Sequence, residues 1–243
     1  MESLTPKMKR IVLTGDDLAG FVSSGFDDHV KLFFPDASGV LPAPIVGING
    51  VSFPEGTPRP EGRDFTPRRF DAFRGELTID FGLHARGPAT TWAANAVVGS
   101  MVGVAGPRGS AIVSDTFDWH LLVGDDTALP AIARRLEELP AFVTALVVVE
   151  VDDEVEEQTF ETAATLVTKW VHRHGADEDT LDNVVTSLVL PDGDGFAWVA
   201  GETAMARRIR RHFIDDRHLD KAWVKAAAYW TLGAVGKHEV LAD

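Results

Sequence analysis

The sequence predicts two domains: an N-terminal antiparallel β-barrel over residues 1–112 and a doubly wound α/β domain over residues 113–243. Two observations support this fold class. Up to Ser110 the chain shows short runs of alternating apolar and polar residues bounded by Gly and Pro, a pattern typical of small antiparallel barrels. After Ser110, long apolar runs alternate with segments of helical period, which is typical of strands and helices arranged around a parallel sheet.

Five apolar runs predict the strands of the barrel. They are "KRIVLTG", "DHVKLFFP", "RDFTPRRFDAF", "ELTIDFGLHA" and "MVGVAGPRG". Between the second and third runs, residues 36–62 are rich in proline and glycine, and we expect an irregular loop there. Residues Ala89 to Ala96 are compatible with a short helix.

The C-terminal half alternates predicted strands with predicted helices. The strands are "WHLLVG", "FVTALVVVEV" and "DGFAWVAGE". Apolar residues at helical spacing predict helices over 128–139, 160–171 and 181–188, and "TAMARRIRRHF" predicts another with Thr203 as its N-cap. The domain would end in a C-terminal helix, because one face of a helix over 219–234 would carry Leu219, Trp223, Ala226, Trp230 and Ala234.

Composition excludes several classes of protein. A formal net charge of −14 argues against a nucleic-acid-binding surface. The chain has no cysteine, which excludes disulfides, cysteine-ligated iron–sulfur clusters and thiolate zinc sites, and no histidine–carboxylate set has the spacing of a metal site. It has no apolar run of about 18 residues and no apolar stretch near Met1, so we expect no membrane insertion and a cytoplasmic protein. We also expect a monomer.

In the α/β half, glycine ends two predicted strands and leads directly into a helix. The two segments are Gly124-Asp125-Asp126-Thr127-Ala128 and Gly201-Glu202-Thr203. Ligands of parallel sheets bind at the carboxyl ends of the strands, and helix N-termini attract phosphate, so both segments are candidate anion sites. The alternative is an ordinary strand-to-helix turn with an Asp or Thr cap. Neither G-x-G-x-x-G nor a P-loop motif occurs.

In the barrel half, two segments have residues suited to a cofactor site. Arg63, Phe65 and Thr66 combine a cation, an aromatic ring and a hydroxyl, which suits a planar, anionic cofactor; the alternative is an amphipathic strand with exposed arginines. In "HARGPATTWAANAVVG", Gly87-Pro88 ends a strand and places Thr90 and Thr91 in the first turn of a helix, an anion site in form. The alternative is a capped short helix that closes the barrel.

The order of these segments resembles the siderophore-interacting proteins, a branch of the ferredoxin-reductase-like flavoproteins, over nearly the whole chain. The resemblance rests on six segments: "LTPKMKRIVLTGDDLAGF" with "GFDDHVKLFFP", "RDFT", "LHARGPATTWAANAVVGSMVGVAGPRGS", "LLVGDDTALPAIARRLEELP", "AWVAGETAMARRIRRHF" and "AYWTLGAVG". It implies an FAD-dependent reductase that takes electrons from NADH or NADPH and reduces the iron(III) of a ferric siderophore.

The resemblance also implies roles for individual residues. Arg63 would contact the FAD phosphates beside Asp64, Phe65 would pack on the isoalloxazine, and Thr66 would hydrogen-bond near the reactive flavin nitrogen. Further FAD contacts would be His84, Gly87, Pro88, Ala89, Thr90 and Thr91. The nucleotide contacts would be Gly124, Asp125, Asp126, Thr127, Ala128, Gly201, Glu202, Thr203 and Trp230. Candidate contacts for the ferric siderophore are Arg68, Arg69, Arg108, Lys225 and Lys237.

Two residues depart from the family pattern. Phe65 replaces a tyrosine and loses its hydroxyl, and Thr231 stands where family members often carry arginine, which argues against a catecholate substrate. Glu150 and Asp152 follow the second α/β strand, and an acidic group there favours the ribose 2′-hydroxyl of NADH over the 2′-phosphate of NADPH. Two other functions stay open: a general flavin reductase with another acceptor, and a non-enzymatic siderophore-binding protein.

Overall fold

The structure, a computed structural model, describes residues 1–47, 50–83, 87–174, 180–234 and 239–240. The chain divides into two compact units, Met1–Ala111 and Ile112–Asp243. Within the described ranges, no helix has both the length and the apolar character needed to cross a membrane.

The first unit contains nine strands and one helix among its described residues. They are β1 Glu2–Thr5, β2 Met8–Thr14, β3 Val30–Phe33, β4 Ile45–Gly47, β5 Gly50–Ser52, β6 Gly62–Phe65, β7 Arg69–Asp71, β8 Glu76–Gly82, α1 Pro88–Asn95 and β9 Gly103–Ala105. Two antiparallel sheets have the strand orders β1-β2-β8-β7 and β6-β3-β9, which confirms the antiparallel class. The hairpin β4-β5 lies inside the segment that the sequence predicted to be irregular.

The core of this unit follows the period of its strands. In β8, Leu77, Ile79 and Phe81 alternate along the strand and are fully buried. They pack with Val30 and Leu32 of β3, so the apolar sides of the two sheets meet. Alternation of this kind is the signal that made the strands predictable.

Asp28 anchors the irregular segment before β3. Its buried carboxylate accepts hydrogen bonds from Ser23 Oγ (2.8 Å), Gly25 N (3.0 Å) and Ser110 Oγ (2.6 Å). The bond to Ser110 spans 82 residues and ties the last residues of the unit to its core.

Asp28→Ala is expected to lower the free energy of unfolding by about 2–4 kcal/mol, because it leaves buried donors without their charged acceptor. Urea unfolding followed by circular dichroism measures the loss. Asp36→Ala is the matched control, since Asp36 also accepts bonds from Ser38 and Val40 but lies in an exposed loop. Equal effects of the two substitutions would contradict the anchoring role of Asp28.

The second unit is an α/β sheet. Its described elements are β10 Trp119–Asp125, α2 Leu129–Glu138, β11 Thr144–Val151, β12 Thr165–His172, α3 Leu181–Ser187, β13 Gly195–Glu202, α4 Thr203–Arg211, β14 Val224–Trp230 and β15 Glu239–Val240. The strand order is β12-β11-β10-β13-β14-β15; the first five strands are parallel and β15 is antiparallel.

Helices cover both faces of this sheet. α3 and α4 pack in one cluster with Leu121 and Val123 of β10. α2 contacts β10 and β11 but takes no part in that cluster, so it covers the opposite face. All residues of β10 are buried, as expected of a central strand in a doubly wound sheet. Since the chain runs from β10 to β11 and β12 and then returns to β13, the crevice of the sheet lies at the carboxyl ends of β10 and β13.

Two predicted helices of this unit are strands. The segment predicted as a helix over 160–171 contains β12, an edge strand whose residues alternate between exposed and half-buried. The predicted C-terminal helix over 219–234 contains β14, which lies between β13 and β15. Ala226, Ala227 and Ala228 are buried on both sides of that strand, so tertiary packing overrides the helical propensity of alanine.

Candidate functional site

An aromatic cluster brings together the two segments of the first unit that the sequence singled out. The ring of Phe65, at the end of β6, lies 4.6 Å from Phe81, measured between centroids. The ring of Trp92, in α1, lies 5.6 Å from the same Phe81 and 5.8 Å from Phe34. The end of β6 and α1 are therefore neighbours at one place in the barrel.

Around this cluster, the residues 63–66 are partly or wholly buried. Phe65 is half-buried, so only part of its ring is left for a cofactor. Thr66 is 8% exposed, and Asp64 pairs with Lys31 across β6 and β3 at 2.7 Å. The Arg63 guanidinium donates to the Gly62 carbonyl (2.8 Å) and to Glu61 (3.0 Å). The strand is thus more buried than the exposed amphipathic strand that was the alternative.

Among the described residues, nothing covers the N-terminus of α1. Gly87 precedes it with a φ of +156°, Pro88 is its first residue, and no side chain of the described residues caps it. A Cβ at Gly87 would meet nothing within 4 Å among the described residues. Free N–H groups at a helix start, approachable through a glycine, suit a phosphate. His84 lies outside the described residues.

Two turns of the second unit are, in contrast, capped by carboxylates of the protein. The Asp125 side chain accepts from Thr127 N at 2.9 Å in the one-turn 3₁₀ helix Asp126–Ala128 that leads into α2. Glu202 Oε2 accepts from Ala204 N (2.6 Å) and Met205 N (2.9 Å) at the start of α4. The N-cap of α4 is therefore Glu202, and the prediction of Thr203 was wrong. A phosphate at the start of α4 would have to displace Glu202, whereas α2 itself has no side-chain cap.

Asp125 lies at the crevice between β10 and β13 and is 2% exposed. Its Oδ2 accepts from Glu202 N (3.0 Å) and from Trp230 Nε1 (2.8 Å), and its Oδ1 accepts from Thr127. Burial, together with the neighbouring Asp126 carboxylate, raises the pKa of Asp125 to about 6, although these hydrogen bonds oppose the shift. Its hydrogen-bond partners among the described residues are Thr127, Glu202 and Trp230.

The ends of β13 and β14 are joined by hydroxyl groups. Thr203 Oγ1 donates to the Trp230 carbonyl at 2.9 Å and lies 2.8 Å from Thr231 Oγ1. Thr231, the residue that replaces a family arginine, thus bonds to α4 instead of reaching outward as a cation. Trp230 remains 37% exposed at this edge.

Arg173 is a residue that the sequence reasoning missed. It follows β12 and pairs with Glu150 (2.8 Å), Asp152 (2.7 Å) and Asp126 (3.4 Å), which follow or end the neighbouring strands. Burial lowers the pKa of Arg173, but the three carboxylates outweigh burial and raise it above its ordinary value. Glu150 and Asp152 are therefore engaged with a guanidinium. The position of Arg173 directly after an apolar segment was the signal in the sequence, but that segment was predicted as a helix and not as a strand.

The candidate siderophore contacts are scattered. Arg68 is 8% exposed, with its Nε 3.9 Å from the buried Asp80 Oδ2, so this candidate contact also lies beside a carboxylate of the protein. Arg69 and Arg108 are exposed on the first unit. Lys225 lines a cavity of about 470 Å³ in the second unit together with Phe117 and Phe196. Lys237 lies outside the described residues.

A buried histidine also lies in the second unit. His120 is fully buried on β10, with its Nε2 3.4 Å from Arg135 Nη2 and its ring against Phe117 and Phe196. Arg135 donates in turn to the Val113 and Ser114 carbonyls. Burial, and secondarily Arg135, lowers the pKa of His120 from 6.5 to about 3, so the folded protein keeps this imidazole neutral.

His120 is expected to make the folded state less stable in acid. The unfolded chain binds one more proton than the folded state between about pH 3 and 6.5, so this contribution to stability rises with pH by up to about 1.4 kcal/mol per unit. In urea titrations, the unfolding free energy of wild type minus that of His120→Leu should therefore increase from pH 5 to pH 6.5. His174→Leu, at an exposed residue, is the control. A pH-independent difference for His120→Leu would contradict the prediction.

The fold defines a class of protein: antiparallel sheets in a barrel-like unit followed by a doubly wound α/β unit, the architecture of ferredoxin-reductase-like folds. Solved structures of low identity show the same fold. The flavohem-like FAD/NAD-binding domain of nitric oxide dioxygenase from Vibrio cholerae has a TM-score of 0.66 at 15% identity and covers 95% of each chain.

The family model described as "Siderophore-interacting FAD-binding domain" matches residues 1–111, and the one described as "Siderophore-interacting protein" matches residues 117–233. The chain belongs to the siderophore-interacting protein family.

Relatives agree with this assignment. An Escherichia coli K12 protein named "NADPH-dependent ferric-chelate reductase" is 38% identical over 95% of this chain and 89% of its own length. The Vibrio cholerae "Ferric vibriobactin reductase ViuB" is 34% identical over 95% of this chain and 86% of its own length. The structure of a siderophore utilization protein from T. fusca has a TM-score of 0.88 at 38% identity, over 97% of this chain and 91% of that one.

Proposed function

We propose that this protein is an FAD-dependent ferric-siderophore reductase that passes electrons from a nicotinamide nucleotide to chelated iron(III). The observation that carries the proposal is the open N-terminus of α1 beside the Phe65–Phe81–Trp92 cluster, in the unit that matches an FAD-binding family. The named relatives, which are reductases of ferric chelates, support the same activity.

The residues of the first unit fit FAD. The free N–H groups after Gly87 suit a pyrophosphate, and Thr90, Thr91, Ala89 and Pro88 form the turn around them. Arg63 supplies positive charge to the phosphates, Asp64 orients that strand, and Phe65 and Thr66 lie where the isoalloxazine would pack. Bound FAD supplies the conversion between a two-electron donor and a one-electron acceptor. His84 belongs to the same proposal.

The second unit would bind the nicotinamide nucleotide at the crevice of its sheet. The residues there are Gly124, Asp125, Asp126, Thr127, Ala128, Gly201, Glu202, Thr203 and Trp230. One cation, Arg173, faces three carboxylates there: Asp126, Glu150 and Asp152. The edge that would receive the adenosine ribose is therefore negative, which favours the 2′-hydroxyl of NADH over the 2′-phosphate of NADPH. The Escherichia coli relative is named for NADPH, so both donors belong in any test.

The substrate would be a ferric siderophore, approached by cations among Arg69, Arg108, Lys225 and Lys237. Thr231 provides no positive charge at the sheet edge, which argues against a strongly anionic chelate. Iron(II) binds hard oxygen ligands less tightly than iron(III), so reduction releases the metal for use. We place this activity in the cytoplasm and on a monomer.

An anaerobic visible spectrum tests the function. Purified protein incubated with FAD should show flavin absorption near 450 nm, lose it with NADH or NADPH, and regain it when a ferric siderophore is added. Bleaching by the donor without recovery by several ferric chelates, but with recovery by a quinone, would indicate a general flavin reductase. Protein that takes up no FAD would overturn the reductase and leave siderophore binding without catalysis.

A further inference from the structure

Asp125 joins the carboxyl ends of three strands. It ends β10 and accepts bonds from the backbone of Glu202, which ends β13, and from the indole of Trp230, which ends β14. The bonds span 77 and 105 residues of sequence.

The packing around Asp125 leaves no room for adjustment. A Cβ at Gly201 would lie 2.5 Å from Asp125 Oδ2, so the glycine is what lets the β13 turn approach the carboxylate. Gly201 has a φ of +142°, which a side chain would strain as well. The carboxylate and the turn thus lie in close contact at the crevice of the sheet.

The two partners in the indole bond differ in access to ligands. Asp125 is 2% exposed and its acceptor oxygens are all used by Thr127, Glu202 and Trp230. Trp230 is 37% exposed, so part of its ring faces outward at the same edge. A nucleotide can therefore contact the indole but can reach the carboxylate only by breaking this network.

We propose that Asp125 is a positioning residue that fixes the Trp230 indole at the crevice of the sheet, where the exposed ring forms one wall of the nicotinamide-nucleotide site. The inference rests on the proposed function and deepens it: Asp125 acts through Trp230 and does not touch the nucleotide. A hydrogen bond to a buried, ionised acceptor is strong and directional, so it can hold a half-exposed ring in one orientation.

A double-mutant cycle tests the proposal. Asp125→Asn keeps the size of the side chain but turns one acceptor oxygen into a donor, so it cannot satisfy Thr127, Glu202 and Trp230 together. Trp230→Phe keeps an aromatic ring and removes the N–H. Each single variant should raise the apparent Kd of the nicotinamide nucleotide about tenfold or more, with a smaller change in the limiting rate of flavin reduction, and the double variant should be no worse than the poorer single variant.

The assay is anaerobic flavin bleaching by NADH or NADPH in FAD-loaded full-length protein, so it does not depend on a ferric chelate. Acrylamide quenching of tryptophan fluorescence measures the accessibility of Trp230 once the signal of the Trp230→Phe protein is subtracted. Trp230 should be more accessible in Asp125→Asn than in wild type. Asp153→Asn is the matched control, because Asp153 also follows a strand end and accepts from the N–H two residues on, but does not contact Trp230.

Effects that multiply in the double variant would overturn the proposal. If Asp125→Asn failed to fold, a Trp230→Phe protein with an unchanged apparent Kd for the donor would still overturn it. Failure of the proposed function is seen separately. If ferric siderophores cannot reoxidise dithionite-reduced wild-type protein, the proposed iron reductase activity is wrong. Flavin bleaching by NADH or NADPH would still measure the effect of Asp125 on donor binding in that case.

Discussion

Gly124→Ala is expected to disrupt the second unit at its crevice. A Cβ at this position would lie 2.4 Å from the Ala128 Cβ and 2.6 Å from the Ala200 carbonyl oxygen. Neither neighbour is the end of a flexible side chain, so β10, β13 or the turn into α2 must shift. Overpacking of this kind costs about 1–3 kcal/mol and at times more, and we expect the upper end of that range.

The functional effect should be confined to one half-reaction. FAD content should stay near that of wild type because the candidate FAD residues lie in the first unit, whereas donor-driven flavin bleaching should slow at least about tenfold. Gly109→Ala is the control, since a Cβ there meets nothing within 4 Å among the described residues. If Gly124→Ala had wild-type stability and an unchanged KM for the nicotinamide donor, the crevice would tolerate a shift of β10 or β13, and the prediction would be wrong.

Asp80→Ala is expected to destabilise the first unit by about 3–5 kcal/mol, because it leaves the half-buried Arg10 and the buried Arg68 without this counter-ion. Asp80 is 6% exposed and accepts from Arg10 at 2.7 and 2.8 Å, while Arg68 Nε lies 3.9 Å away. Arg10 and Asp80 are direct partners across β2 and β8, so the ion pair also spans the sheet.

The melting temperature and the FAD content of Asp80→Ala should both be lower than those of wild type. Glu76→Ala is the control on the same strand, because Glu76 pairs with Arg74 at the surface and should cost less than about 1 kcal/mol. If Asp80→Ala and Glu76→Ala had similar melting temperatures, Arg68 would not depend on Asp80, and its role as a structural cation would be wrong.

Sequence patterns predicted those elements whose two faces differ. β8 shows strict alternation, and α2 and α4 each bury one apolar side, so their periods were visible. β14 is covered on both faces, and a run such as Ala226–Ala228 carries no period that separates strand from helix. In β12, Val167, Trp170 and Val171 have helical spacing by coincidence, while the strand is held by its pairing with β11.

The candidate site was predictable in its segments but not in its bonds. Glycine before a helix start marked Gly87, Gly124 and Gly201, because close approach and free N–H groups depend on local sequence. That Asp125 receives the Trp230 indole depends on three strands meeting at one edge, and nothing local indicates it. The burial of Arg68 likewise depends on Asp80, which lies on another strand.

The carboxylates that cap the turn before α2 and the start of α4 have a consequence for affinity. Asp125 and Glu202 are tethered next to the N–H groups that a nucleotide phosphate would seek, so they act as competitors at very high effective concentration. A phosphate gains those groups only in the fraction of molecules whose caps are open, and its apparent dissociation constant rises in inverse proportion to that fraction. A nucleotide phosphate bound at this edge, as proposed, would therefore bind more weakly than one that met the same N–H groups uncapped.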